Sequence, residues 1–341
     1  MGEAAPFTLG VVIVSFRSGD VIPACLDSLL ASHDVRLKIV VVDNASPDDT
    51  VARLTDWAGS ALGSKPRLDR LDESGVGREL GGLTLIQGRL NRGYAGGVNL
   101  GLAALTGQVD AIWVLNPDCV VAPDTARLYA DAALARPDFG LMSCRTLHHD
   151  HPDVIQSDGG RINRATGVCS QVNAGLPAAT TPPPDPSELD WLTGANLVVS
   201  PGFLARVGPM RDDYFLYFEE VDWAFRRGDA PLVHVPGAKV YHHAGTSIGS
   251  GGYHRRPSAF ANFFNHRNRL RFARQYFSPV PIAAYAYSLA KAAQLVLKSA
   301  PDEAWAIIAG SFELPPPREV GAKFTDPETR ALALGRSHTV R

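Results

Sequence analysis

Cysteine is scarce in this chain and scattered. Cys25, Cys119, Cys144 and Cys169 form no Cys-x-x-Cys pair, so neither structural zinc nor a disulfide framework is expected, and a reducing compartment fits. No sign of charge predominates. The formal net charge is −2, which leaves no electrostatic footprint for wholesale nucleic-acid binding. Met1–Phe7 lacks the basic region and apolar core of a secretion signal, and a cytoplasmic location is expected. An uninterrupted apolar span is missing too. The most apolar segment, Pro279–Leu297, is broken by Ser288, Lys291 and Gln294, and a lysine near the middle of a membrane span is costly. The first strand–helix–strand unit carries neither a dinucleotide fingerprint nor a P-loop. What remains is ordinary globular composition, 45% hydrophobic and 20% charged over 341 residues, enough for one large domain or two smaller ones.

The organising stretch is Ala111-Ile112-Trp113-Val114-Leu115-Asn116-Pro117-Asp118. Five apolar residues without polar alternation suit a strand buried on both faces of a parallel sheet. Pro117 cannot donate to a ladder, so the strand stops there. Asp118 then lies just past the carboxyl end, where open α/β sheets bind ligands. An acid there, two residues after Asn116, can hold a divalent cation against a diphosphate; a plain turn carboxylate is the competing reading.

Leu9–Ser15 reads as a buried strand, Val21–Leu30 as a helix and Leu37–Val42 as a second strand ending in Asp43-Asn44-Ala45-Ser46. A right-handed crossover puts Ser15 and Asp43 on one sheet edge. Asp43 there either caps a helix or accepts hydrogen bonds from a base imide or ribose. Ser60–Gly82 reads as an elaborated surface connection, before a short strand at Leu83–Ile86. In Asn91-Arg92-Gly93-Tyr94-Ala95-Gly96-Gly97-Val98-Asn99, Gly93, Gly96 and Gly97 would let free backbone N–H groups approach a phosphate, with Arg92 adding charge. Asp124–Arg136 reads as a helix and Phe139–Cys144 as a strand. His148, His149 and His151 around Asp150 read as solvated loop histidines rather than a metal cluster. Leu176–Ser187, with Pro182-Pro183-Pro184 and Pro186, reads as a stiff loop.

Tyr214–Arg227 combines an aromatic run with Glu219, Glu220 and Asp222. Carboxylates favour a helix start, but crowded like charges in a partly dry site raise at least one pKa, which suits a general base. Gly237–Gly245 brings a strand out to His242 and His243, and a histidine there can complete a metal site begun by Asp118. Gly249–Gly252 can close over a ligand. Ser258–Tyr276 and Pro279–Leu297 read as helices lying at a membrane interface, their basic residues near anionic headgroups, or packing on the main domain or a second subunit. From Pro315 the polar tail is expected to be disordered.

Taken in order, Val-Ile-Val-Ser-Phe, Val-Val-Asp-Asn-Ala-Ser, Asn-Arg-Gly-Tyr-Ala-Gly-Gly-Val-Asn, Leu-Asn-Pro-Asp, Phe-Leu-Tyr-Phe-Glu-Glu-Val-Asp-Trp and Tyr-His-His resemble family 2 glycosyltransferases of the GT-A fold, especially bacterial rhamnosyltransferase-like members that build surface polysaccharides. The resemblance spans roughly residues 8 to 275. It implies an α/β, Rossmann-like, mostly parallel central sheet flanked by helices, with a C-terminal helical extension. The implied division is a GT-A domain over 1–257, with a nucleotide-sugar part at about 8–122 and an acceptor and catalytic part at about 123–257. Helices at 258–314 would contact membrane or form a homodimer, and a tail at 315–341 would follow.

The resemblance also implies roles. Ser15, Phe16, Asp43 and Asn44 line the nucleoside pocket, and Arg92 and Gly93 follow the nucleotide sugar. Asn116-Pro117-Asp118 stands in for Asp-x-Asp, with Asp118 on Mg²⁺ or Mn²⁺ and Asn116 leaving one charge fewer. His242 reaches the metal. Glu219-Glu220 replaces the usual Glu-Asp pair, with Glu220 as base, and Trp191, Gly194, Glu219 and Asp222 lie toward the acceptor. The implied reaction is inverting transfer, of L-rhamnose from dTDP-L-rhamnose or of a hexose or galactofuranose from a UDP-sugar, to a saccharide or lipid-linked saccharide. A non-catalytic nucleotide-sugar-binding component of an assembly complex is the rival from another class. A nucleotidyltransferase is the enzymatic rival, lacking its Gly-rich, Lys-containing signature near Ser15.

Overall fold

The computed structural model describes residues 6–60, 67–75, 77–243, 256–277 and 282–335. The glycine segment 249–252 and the start of the second C-terminal helix at Pro279 lie outside the described residues.

The first half of the chain alternates strand and helix: β1 (Thr8–Ser15), α1 (Ile22–Leu30), β2 (Arg36–Asp43), α2 (Thr50–Ser60), β3 (Leu68–Asp72), β4 (Leu83–Gln87), α3 (Gly93–Leu105) and β5 (Ala111–Leu115). The second half is more broken: β6 (Cys119–Val121), α4 (Thr125–Ala135), β7 (Leu141–His148), β8 (Ile155–Ser157), β9 (Gly160–Asn163), β10 (Val168–Gln171), β11 (Asn196–Val199), α5 (Pro201–Val207), α6 (Glu219–Phe225) and β12 (Leu232–His242). Helices close the chain: α7 (Ala259–Tyr276), α8 (Ile282–Leu297), α9 (Pro301–Ser311), α10 (Arg318–Gly321) and α11 (Pro327–Leu334).

The main sheet runs β3-β4-β2-β1-β5-β11-β7-β12-β6, with β8 beside β7. The β3-to-β5 half is parallel throughout, β11 runs antiparallel to both its neighbours, and β12 is parallel to β7. This is the mostly parallel, helix-flanked sheet with a helical C-terminal region that the resemblance implies. Strands without polar alternation sit at its centre because both faces are covered. Leu9, Val11 and Ile13 of β1 and Ala111, Trp113 and Leu115 of β5 join one core with α1, α2 and α4. Val12 and Val14, with Ile112 and Val114, join the other core with α3 and α6. Register aligns Ser15 with Asp43 and Ile13 with Leu115, so the carboxyl ends of β1, β2 and β5 share one edge.

Three readings are corrected. Ser60–Gly82 is not only a connection, because Leu68–Asp72 forms β3 at the sheet edge. Its alternating charges blunt an open edge, which is why it does not read as a buried strand. The tail from Pro315 is helical over 318–321 and 327–334, because Val320, Phe324 and Ala333 bury against Phe260, Phe263 and Phe264 of α7. Two arginines of α7 are turned into the protein rather than outward. Arg267 and Arg269 are each 2% exposed and donate to backbone carbonyls, Arg267 to Tyr214 and Ala333 and Arg269 to Thr166 and Ala284. No described helix is long and apolar enough to cross a membrane.

Candidate active site at the carboxyl edge of the sheet

Ser15 and Asp43 end neighbouring strands and are buried. The Asp43 Oδ2 accepts from the Ser46 N–H at 3.1 Å, while its Oδ1 and the Ser15 Oγ have no hydrogen-bond partner among the described residues. Burial raises the Asp43 pKa. Two adjacent buried polar atoms without partners cost free energy unless a ligand meets them. Phe16 is half-buried beside them, with the Arg17 guanidinium 5.8 Å from its ring centre. Asn44 is different, because it ties loops together. Its N–H donates to the Ser15 carbonyl at 2.8 Å, its Nδ2 to Asn91 Oδ1 at 3.0 Å and the Gly93 carbonyl at 2.8 Å, and its Oδ1 accepts from the Arg92 N–H at 3.0 Å.

Two N–H groups of the glycine loop are already taken. The Gly93 N–H donates to Asn91 Oδ1 at 2.8 Å and the Tyr94 N–H to the Phe215 carbonyl at 2.8 Å. A Cβ on Gly93, at φ 74, would stand 2.3 Å from that carbonyl, and one on Gly97 would stand 2.6 Å from Val14 Cγ1. These glycines therefore serve close packing against a loop and a strand. Arg92 pairs with Glu73 at 2.7 Å.

The short strand β6, unread in the sequence, pairs antiparallel with β12 and aligns His242 with Cys119. That register brings His242 Nε2 within 3.2 Å of Asp118 Oδ1 and 3.4 Å of Asn116 Nδ2. Gln156 on β8 sets the ring. Its Nε2 donates to the His242 carbonyl at 3.2 Å, so its Oε1 faces His242 Nδ1 at 2.6 Å and accepts a hydrogen bond from that nitrogen. The Nε2 lone pair then faces a carboxylate oxygen, and two acceptors this close need a proton or a cation between them. Asn116 Oδ1 is buried with no partner among the described residues. A carboxylate, an imidazole and an amide oxygen suit Mg²⁺ or Mn²⁺, so the residues fit such an ion. Cys119 lies in the same cluster, but burial pushes its thiol pKa well up and its Sγ donates toward the Ala195 carbonyl, so it stays a protonated core residue. Outside this centre, Asp150 Oδ1 lies 3.3 Å from His149 Nδ1 and 3.5 Å from His243 Nδ1, and the two rings stack.

Across the site, Phe215, Tyr217 and Phe218 have φ of 65°, 70° and 78°. Backbone this unusual for non-glycine residues costs on the order of 1–3 kcal/mol each and clusters at functional sites. It delivers the start of α6. Glu219 is 1% exposed, its Oε1 has no partner among the described residues, and burial together with Glu220 pushes its pKa well above the carboxylate range. Glu220 is half-buried, and desolvation raises its pKa to about 7. Asp222 offers no open face. Its carboxylate takes Arg226 Nε and the Tyr276 hydroxyl, each at 2.7 Å. Trp191 is 5% exposed and packs so tightly on Gly160 that a Cβ there would stand 2.1 Å from its ring. Glu219, Asp222 and Trp191 are thus buried, whereas Gly194 faces Glu220, 3.4 Å from its Cγ to an added Cβ.

Residue Tyr94 joins the two halves. Its hydroxyl donates to the Gly194 carbonyl at 2.5 Å, and burial, joined by the charges of Glu220, Glu219 and Asp118, pushes its pKa well up. The Asn116 N–H donates to the Ala195 carbonyl at 3.0 Å. Residues 116–118 and 220 therefore flank one turn, 193–196. Tyr94, an aromatic among glycines, carried a readable signal; Gln156 carried none.

Residues 10–145 match the family model of glycosyl transferase family 2. The chain is 26% identical over 268 residues to the N-acetylglucosaminyl-diphospho-decaprenol L-rhamnosyltransferase of Mycobacterium tuberculosis, covering 71% of this chain and 78% of that protein. The structure is similar to GalNAc-T7 with UDP, GalNAc and Mn²⁺, at a TM-score of 0.56 and 14% identity over 91% of this chain and 59% of that one. It is also similar to the mannosyltransferase PcManGT from Pyrobaculum calidifontis in complex with GDP-Man and Mn²⁺, at a TM-score of 0.50 and 17% identity over 97% and 83%. With this fold, this ordered set of motifs and these relatives, the chain carries a glycosyl transferase family 2 domain over residues 10–145 and is a glycosyltransferase with GT-A-like structural neighbours.

Proposed function

We propose that the chain moves L-rhamnose from dTDP-L-rhamnose, with inversion, to a hydroxyl of a lipid-linked saccharide. One observation carries the chemistry. A half-buried carboxylate with a pKa of about 7, Glu220, stands across the 193–196 turn from the Asp118–His242 pair. The sugar and acceptor classes are supported by the mycobacterial relative, an L-rhamnosyltransferase named for a diphospho-decaprenol-linked N-acetylglucosamine.

Asp43 Oδ1 and Ser15 Oγ are available to accept and donate to the base and ribose of the donor. Asp118, His242 and Asn116 would hold Mg²⁺ or Mn²⁺, which when bound offsets the charge of the departing nucleoside diphosphate. Glu220 takes the proton from the acceptor hydroxyl. At neutral pH a base with a pKa near 7 is substantially ionised yet still basic enough to accept that proton. Glu219, kept neutral by burial, adds no second negative charge beside it. A single base suffices for an inverting displacement, unlike the acid–base pair of a glycosidase.

The acceptor's lipid would bring the chain to a membrane surface. Ile282, Leu289 and Val296 of α8 and Trp305 of α9 are exposed, Ile282 by 86%, and a tryptophan with aliphatic neighbours suits the interface. A thermal-shift panel of nucleotide sugars with and without Mn²⁺ tests the donor, since a ligand of the folded state raises Tm by mass action. A metal-dependent rise with dTDP-L-rhamnose supports the reading. A rise only with a UDP-hexose overturns the rhamnose assignment.

A further inference from the structure

We propose that Asn268, on helix α7 of the C-terminal region, is a positioning residue that sets the backbone on which Glu220 stands. The inference rests on Glu220 acting as the base. Asn268 is completely buried. Its Nδ2 lies 2.9 Å from the Tyr214 carbonyl, 2.7 Å from that of Leu216 and 3.1 Å from that of Tyr217. Two N–H protons are thus shared among three carbonyls of the segment that holds Phe215, Tyr217 and Phe218 at positive φ. The carbonyl between them, that of Phe215, takes the Tyr94 N–H.

Such a segment cannot satisfy its own carbonyls, because left-handed residues turn them out of any helical or sheet ladder, and buried carbonyls need donors. Four successive carbonyls, 214 to 217, are met by α7 and α3. The amide itself is fixed in turn. Its Oδ1 accepts from Arg267 Nε at 3.0 Å, and the same guanidinium donates to the Tyr214 and Ala333 carbonyls at 2.9 and 2.6 Å. The last helix, α11, therefore braces the residue that braces the catalytic segment. The C-terminal helices are part of the active-site scaffold.

The test uses the full chain and two variants. Asn268→Ala removes both donors. Asn268→Asp keeps the shape and the Arg267 contact, loses the donors, and carries the test where Asn268→Ala does not fold. The first readout needs no substrate. In a ¹³C-carboxyl NMR titration, with the signal assigned through Glu220→Gln, the Glu220 pKa falls from about 7 toward the ordinary 4.5 as the segment relaxes and the carboxylate hydrates. The second is transfer from dTDP-L-rhamnose, where kcat falls about 10²-fold, the usual scale for a misplaced catalytic group, with donor KM little changed. Ser258→Ala, which removes the N-cap of the same helix, lowers Tm but leaves the titration where it was. A folded Asn268 variant with wild-type titration and kcat overturns the proposal, as does a Ser258→Ala variant that shifts the titration equally. If Glu220→Gln keeps wild-type turnover, the assignment of the base fails, while the titration still judges Asn268.

Discussion

The Tyr94 hydroxyl donates a 2.5 Å hydrogen bond to the Gly194 carbonyl, tying helix α3 to the turn that Glu220 faces. A net hydrogen bond is worth about 1 kcal/mol. Tyr94→Phe is therefore expected to lower Tm by a few degrees and to reduce kcat more than donor KM, since the turn it anchors lies against the base. Steady-state kinetics with a melting curve checks this. Unchanged kcat would show that the turn holds its place without the bond.

The two glutamates should separate. Glu220→Gln is expected to reduce kcat by about 10²–10⁴ with little change in donor affinity, the usual contribution of a general base. Glu219→Gln should retain most activity, because burial already keeps Glu219 neutral. Comparable losses in both would assign catalysis to the pair rather than to Glu220.

The pH dependence has a definite sign. The groups bearing on Glu220 are Glu219, Tyr94 and, from β10, Cys169. With a pKa of about 7, transfer should rise as pH passes upward through 7 and level off above it. Stability runs the other way. The folded pKa is raised above the unfolded value of about 4.5, so the group stabilises most below pH 4.5, and that contribution is lost as pH climbs through 7. Glu220→Gln should therefore raise Tm at pH 8 and not at pH 4.5. Melting curves at the two pH values decide it, and an equal rise at both would mean that Glu220 titrates normally.

At the Asp118–His242 pair, Mn²⁺ alone should raise the Tm of the wild type, and Asp118→Ala should abolish the rise. Gln156→Leu should weaken Mn²⁺ binding about 10–100-fold by calorimetry, the usual cost of losing a partner that orients a metal-bound histidine. Equal affinity in the Gln156 variant would show that the ring needs no partner to keep its tautomer.

The glycine loop supplies a structural contrast. A Cβ on Gly97 meets Val14 at 2.6 Å, and overpacking of this kind costs about 1–3 kcal/mol. Gly97→Ala should lower Tm while leaving donor KM close to wild type. A large rise in KM at normal Tm would restore the phosphate-cradle role.

Much of the sheet and the nucleotide edge was legible because local chemistry dictates it. Unalternating apolar runs at Val11–Val14 and Ile112–Leu115 can only be satisfied between two covered faces. Asp43 and Asn116-Pro117-Asp118 terminate such runs, which puts them at the edge whatever the rest does. The histidine's place beside Asp118 was also suggested, but its cause was not, since three residues of β6 are too few to show a period.

The sequence alone determined a parallel sheet, its ligand edge and the acids that stand there, because strand burial and chain termination are set by neighbouring residues. Only the tertiary structure decided which of those acids is open. Local chemistry gave Glu219, Glu220 and Asp222 as three crowded acids and only the resemblance set Glu220 apart; in the structure Glu219 is sealed and Asp222 is bound by Arg226 and Tyr276. It also decided that Arg267 and Arg269 of α7 hold carbonyls, that Asn268 donates to those of Tyr214, Leu216 and Tyr217, and that Gly93 and Gly97 pack closely against Phe215 and Val14. Those outcomes depend on contacts between residues more than 50 positions apart, such as Asn268 with Tyr214. Desolvation and hydrogen-bond partnership are properties of the assembled chain and not of any one stretch of it.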